Sequence, residues 1–182
     1  MMMSSALNTN QRIVYVMATF RMAGASLQER LQRSFAEEPA RVTFGKSPIH
    51  QWGLFSKRPI AEGELVMEYR GELISAEGAN SREALYRSVG VDCYLFKISE
   101  NMVIDGSLCG GIGRLINHSC GPNLYSKIVD TSLDGPKRIA FFANRDLPIG
   151  TELTYDYRFK EENDDEKIAC FCGSPACRGT LN

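Results

Sequence analysis

Asn117-His118-Ser119-Cys120, read together with Cys170-Phe171-Cys172-Gly173-Ser174-Pro175-Ala176-Cys177 near the C-terminus, decides how the rest of this chain is interpreted. The second stretch sets three thiols in a C-x-C-x4-C spacing, one ligand short of the closed tetrahedral set that a structural zinc prefers. Cys120 is the best candidate for the fourth. With it, one metal ion would tie the tail back onto the Asn117-His118 segment. The tail would then help to build an active site.

Working outward, the six cysteines belong to a mixed-structure chain, where metal binding or buried thiols account for them better than a disulfide framework. Cys93 and Cys109, each flanked by apolar or small residues, read as buried, inert thiols. The chain has 182 residues and a hydrophobic fraction of 43%, enough for one domain with a real core. No run approaches the length of a membrane span, and the start MMMSSALNTNQR lacks an apolar stretch followed by a cleavage site, so the sequence reads as intracellular. The formal charge is −1 before any thiolate is counted, and Glu161, Glu162, Asp164, Asp165 and Glu166 form one acidic run. Direct nucleic-acid binding is not expected from that balance, and a basic peptide suits it better, although such a run also has the composition of a solvated loop.

Residues 1–40 read as a flank with one amphipathic helix. Ser26 and Glu29 form a capping box, Leu27, Leu31 and Phe35 follow at four-residue spacing, and the helix is expected to end before Pro39. From Arg41 onward short β-type runs are separated by Gly and Pro: 42–44, 54–56, 64–69 and 72–74, then 94–98, 102–105, 125–129, 138–143 and 152–155. A polar helical stretch near 81–88 and a short helix near 112–116 interrupt them. The expected fold is mainly β with short helices, an α+β arrangement of small sheets. No linker divides residues 41–182.

The chain lacks a nucleotide-phosphate loop, a Ser-His-acid order and an H-E-x-x-H pattern, so acyl and phosphoryl transfer lose support. It does have tyrosines beside turns: Tyr94, Tyr155 and Tyr157. A pair at i and i+2 shares one face of a strand, and both hydroxyls can converge on a narrow space if the second leaves the strand at its end. Such an aromatic channel accepts a long aliphatic stem and presents oxygens at its tip, which fits lysine. Its apolar walls favour the uncharged amine that a nucleophile needs. Glu68 and Glu72 have the look of paired carboxylates, although Glu68 reads better as a buried partner that fixes a loop.

The segments GLFSKRPIAEGELVMEYRGELI, RLINHSCGPN, ELTYDY and CFCGSPACRGTLN, in this order and spacing, resemble the signatures of the SET-domain protein lysine methyltransferases over about residues 41–182. The resemblance implies a SET domain at 41–160 with a threaded C-terminal segment, an exception to the usual avoidance of threading, and a zinc-binding post-SET tail at 161–182. It implies S-adenosylmethionine as cofactor, S-adenosylhomocysteine as product, and one structural zinc ion on Cys120, Cys170, Cys172 and Cys177. Asn117 and His118 would contact the cofactor. His50 and Trp52 lie where the family lays its chain along that molecule, with Trp52 using its backbone and its ring serving as a lid or cation–π face. Tyr94 would wall the channel and touch the cofactor, and Phe171 would close over the adenine edge.

Tyr157 matches the tyrosine to which the family assigns catalysis, and Tyr155 the position whose extra hydroxyl limits methylation to one or two methyl groups. Arg114 is structural by the same analogy. The combination of Ser47-Pro48-Ile49-His50, Asp92 to Ile98, Tyr155 and the C-terminus is similar to the trithorax and mixed-lineage-leukaemia type, which methylates histone H3 lysine 4. That branch implies the histone H3 N-terminal tail as substrate, activation by a WD-repeat-containing complex acting on residues 75–92, and a place in the nucleus. Gly111 and Gly113 depart from the pattern and are expected to add backbone freedom. The rival readings are a catalytically silent, zinc-stabilised module that binds histone tails, and a methyltransferase for a non-histone or different histone lysine.

Overall fold

The computed structural model describes residues 25–130, 135–159 and 167–182. The acidic run at 161–166 and residues 1–24 of the flank lie outside the described residues. In chain order the elements are α1 (Leu27–Arg41), β1 (Val42–Lys46), β2 (Trp52–Ser56), β3 (Leu65–Tyr69), β4 (Glu72–Ser75), α2 (Ala76–Val89), β5 (Leu95–Lys97) and β6 (Met102–Asp105). A 3-10 turn (Ile112–Leu115) leads into β7 (Asn117–His118), β8 (Leu124–Asp130), β9 (Lys137–Ala143) and β10 (Glu152–Tyr155). Three small sheets result, ordered β1-β2-β10-β7, β3-β9-β8 and β4-β6-β5. No helix among the described residues is long and apolar enough to cross a membrane.

The core forms where the β9 run Ile139-Ala140-Phe141-Phe142-Ala143 lies between β3 and β8 with both faces covered. A strand buried on both faces needs a continuous apolar run rather than alternation. Phe141, Leu54, Ile60, Met67, Ile116, Leu124 and Leu153 are fully buried and, with Ile104 of β6, draw all three sheets onto one centre. β10 is a central strand, antiparallel to β2 and parallel to β7, with Thr154 opposite Asn117 and Tyr155 opposite His118. This parallel pairing brings the tyrosines of 155–157 beside the Asn-His pair, although some forty residues separate them in sequence.

Three expectations need correction. The capping box of α1 is formed, with the Glu29 N–H donating to Ser26 Oγ at 3.2 Å and the Ser26 N–H to Glu29 Oε2 at 2.8 Å, but the helix runs through Pro39 to Arg41. The Arg41 guanidinium is buried and bonds the Val66 carbonyl at 2.7 Å and Ser34 Oγ at 3.0 Å, which anchors the last turn despite the missing proline N–H. The buried stripe is therefore Leu31, Ser34, Glu38 and Arg41, three of the four polar, while Phe35 is 59% exposed beneath the Arg70 guanidinium.

Cys93 and Cys109 are exposed rather than buried. Cys93 follows the left-handed Gly90 that stops α2, and Cys109 lies in the irregular segment after β6, where apolar neighbours bring no sheet to cover them. Gly111 and Gly113 also sit where neighbours pack closely. Gly111 has an ordinary φ of −85°, and a Cβ there would meet the Arg70 guanidinium at 2.8 Å.

Candidate active site

A cavity of about 580 Å³ opens where the 49–52 loop, the start of β5, the β7 and β10 pair and the tail at 168–171 face one another. Its volume lies within the usual range of small-molecule sites. Tyr94, Tyr155 and Tyr157 all line it, as do His50, Trp52, Asn117, His118 and Phe171. The residues singled out in sequence for a cofactor and a channel thus share one space. Phe171 is 69% exposed at its rim.

Tyr155 stands at the end of β10 and packs against Phe141 at 4.8 Å, stacks on Phe96 at 5.8 Å, and meets Tyr157 at 4.8 Å between ring centroids. Burial pushes its phenol well above the ordinary value. Its hydroxyl has no protein partner among the described residues, yet it is not a sealed, unpaired atom, so it opens onto the cavity. Tyr157 leaves the strand, as its i+2 position requires for the two rings to converge. Its hydroxyl donates to the Ile116 carbonyl at 3.0 Å, and burial raises its pKa strongly. A phenol that holds its proton and spends it on a carbonyl is no general base; what it offers is oxygen lone pairs at a fixed point.

His118 uses both ring nitrogens within the protein. Nδ1 accepts the Tyr157 N–H at 3.1 Å, so the neutral ring carries its proton on Nε2, 3.4 Å from Cys120 Sγ. Burial lowers its pKa and keeps it neutral. A ligand can therefore meet the main chain or ring carbons of His118. The ring instead joins the Tyr157 segment to the cysteine cluster.

The sulfurs of Cys120, Cys170, Cys172 and Cys177 all lie within 4.8 Å of one another, and those of Cys120 and Cys170 are 3.8 Å apart. Sulfurs at about 2.3 Å from one tetrahedral centre are spaced this way. Main-chain N–H groups of Arg178 and Gly179 point at Cys120 and Cys177, at 3.3 and 3.4 Å. Burial opposes ionisation of both central thiols. Main-chain bonds and neighbouring thiols nevertheless bring Cys172 down to about 6, while burial and neighbouring thiols push Cys170 up to about 12. Four thiolates this close can coexist only around a cation, and the all-sulfur donor set suits a soft tetrahedral metal.

Several site residues escaped sequence reasoning. Tyr69 lines the cavity and donates to the Tyr94 carbonyl at 2.6 Å, fixing the Tyr94 wall. Arg178 clasps Asp156 through two bonds of 3.0 Å, so the tail is latched beside Tyr157. Both pairings join residues far apart in sequence and leave no local signal. Trp52 is 42% exposed, with Lys46 Nζ 4.3 Å from its ring, so its cation–π partner is a lysine of β1. Arg114 is structural, donating to the carbonyls of Gly106 and Ser107. Glu68 and Glu72 do not pair: the first faces Arg138 at 3.3 Å and the second binds Arg82 at 2.8 Å.

Comparison with known proteins agrees with this geometry. The family model described as SET domain matches residues 51–158. The chain is 48% identical over 143 residues to a histone-lysine N-methyltransferase, H3 lysine-4 specific, of Candida albicans. It is 45% identical to the histone-lysine N-methyltransferase SETD1 of Drosophila melanogaster, and 49% to the histone-lysine N-methyltransferase ATX2 of Arabidopsis thaliana. Each alignment covers 78% of this chain but only 14%, 8% and 13% of the respective relative. A family match over more than half of the sequence, on a fold of three small sheets that gathers the Asn-His pair, the tyrosines and the cysteines around one cavity, shows that the chain belongs to the SET-domain family.

Proposed function

We propose that this chain is a histone-lysine N-methyltransferase, dependent on S-adenosylmethionine and directed at lysine 4 of the histone H3 tail. The observation that carries the reading is the convergence of Tyr155 and Tyr157 on the cavity that also holds Asn117, His118 and Phe171. When bound, S-adenosylmethionine supplies an activated methyl group on a sulfonium. Trp52, Asn117 and the main chain of His118 would hold it on one side, with Phe171 and Tyr94 closing the other.

The chain's own residues then act on the lysine. Rings of Tyr94, Tyr155 and Tyr157 offer an apolar sleeve for the stem, which disfavours the ammonium form at the tip. Tyr157 cannot take a proton, so its oxygen orients the amine for in-line attack. Alignment and exclusion of water supply the main part of the rate, an effect worth up to roughly 7–11 kcal/mol in well-oriented reactions. The open hydroxyl of Tyr155 occupies space beside the amine and is suited to hold a water there. Mono- and dimethyl-lysine are the expected products.

Cys120, Cys170, Cys172 and Cys177 would hold one zinc ion, which orders the tail wall of the cavity. The relatives' names support a chromatin substrate and a nuclear place of action, and an activating WD-repeat complex would act on α2 and the segment after it. Radiolabelled methyl transfer to H3 tail peptides tests the reading: label should enter a peptide with lysine 4 and be absent when that residue is alanine. Label in neither peptide, with the cofactor bound, would leave a silent histone-binding module. Tyr155→Phe should raise the trimethyl fraction by mass spectrometry, and a wild type that already trimethylates efficiently contradicts the role given to its hydroxyl.

A further inference from the structure

We infer that Glu152 is a positioning residue: together with the Trp52 carbonyl it fixes which way round the Asn117 amide sits and thereby tunes the affinity for S-adenosylmethionine. The inference rests on the methyltransferase reading above. Glu152 opens β10 opposite Phe55, and its side chain crosses to the loop before β2. There Oε1 accepts from Ser47 Oγ at 2.7 Å and from Asn117 Nδ2 at 2.9 Å. Ser47 Oγ in turn accepts the main-chain N–H groups of Ile49 at 2.9 Å and His50 at 3.4 Å, which shapes the loop that lines the cavity.

An ionised carboxylate only accepts hydrogen bonds, so the edge of Asn117 that faces Glu152 must be the amino group. The other amide hydrogen goes to the Trp52 carbonyl at 2.9 Å. Ser47 Oγ and the His50 carbonyl crowd the same nitrogen at 3.1 and 3.4 Å. Among the described residues Asn117 Oδ1 has no protein partner, and it is not a sealed unpaired atom, so it opens onto the cavity. An acceptor there fits the ammonium group at the amino-acid end of S-adenosylmethionine. A flipped amide would present N–H groups to that ammonium.

Gly53 belongs to the same device. A Cβ at this position would lie 2.4 Å from Glu152 Oε1, 3.0 Å from its Cδ and 3.0 Å from Ser47 Cβ. The carboxylate reaches Asn117 only because residue 53 has no side chain. Adding a methyl group there should displace Glu152 much as neutralising it would.

Isothermal titration with S-adenosylhomocysteine, alongside steady-state kinetics and zinc content, tests the inference on Glu152→Gln, Gly53→Ala and the double variant. Glu152→Gln weakens the charge-assisted acceptor that holds the amide together with the Trp52 carbonyl, and should weaken binding about tenfold or more, with KM for the donor rising in parallel and kcat at saturation within about twofold. Gly53→Ala should do the same, and the double variant should be no more than about twofold worse than the weaker single. Multiplied losses in the double variant, or binding by Glu152→Gln within about twofold of wild type, would overturn the positioning role. If Glu152→Gln loses its fold, Gly53→Ala decides alone by the same thresholds. Wild type that fails to bind S-adenosylhomocysteine would instead sink the methyltransferase reading itself.

Discussion

The β3-β9-β8 sheet and the tail at 168–182 are held in place by opposite means. In the sheet, Ile139 to Ala143 are covered on both faces and bonded on both edges, so apolar burial and ladder pairing hold them without any ligand. The tail has one isolated bridge, Ala169 with Thr180, and exposed Ile168 and Phe171. It is held by four cysteines and the Arg178–Asp156 clasp. A segment that cannot bury enough apolar surface to offset its ordering entropy needs a different source of free energy, and metal ligation is such a source. The difference also divides the work: the core fixes the tyrosines, and the tail supplies a removable wall.

Removal of the proposed zinc should break the contrast most sharply. Chelation, or Cys172→Ser, should abolish S-adenosylhomocysteine binding by calorimetry while the β-sheet circular dichroism signal survives. Loss of the sheet together with the tail would mean that the two regions are one cooperative unit. Phe141→Ala attacks the other side. It should cost about 3–5 kcal/mol by denaturant unfolding, since Phe141 is fully buried and touches Tyr155 as well as Tyr69.

Tyr157→Phe should separate chemistry from architecture. It removes the hydroxyl held by Ile116 and should lower kcat roughly a hundredfold, with cofactor affinity and melting temperature little changed. Unchanged turnover would reject its role. Arg178→Ala is the mildest probe. An exposed pair stabilises little, so cofactor affinity should fall only about two- to fivefold, with the zinc retained. A loss as large as that of chelation would make the clasp, and not the metal, the main tie of the tail.

The legible part of the molecule follows from local chemistry. Gly and Pro between short β-type runs marked most strands within a residue or two, because turns and apolar strands leave signals within a few positions. The terminal cysteines were legible for the same reason, since three ligands lie within eight residues. The buried stripe of α1 was not. Its Ser34, Glu38 and Arg41 are polar and are buried only because the Val66 carbonyl and Arg70 receive them. Cys93 and Cys109 failed in the opposite direction, as small and apolar neighbours say nothing about whether another element will cover a thiol.

Within the site, residue types were readable and their partners were not. From the sequence alone came the family signatures, the tyrosine pair at i and i+2, and three terminal thiols at short spacing, with Cys120 as the candidate fourth. Only the tertiary structure decided that Tyr157 spends its proton on Ile116, that His118 turns its nitrogens inward, and that Glu152 reaches Asn117 over Gly53. Those outcomes depend on pairing β10 between β2 and β7, a contact closed over dozens of residues. Local sequence encodes which groups are present, whereas the direction each group faces is set by distant backbone packed against it.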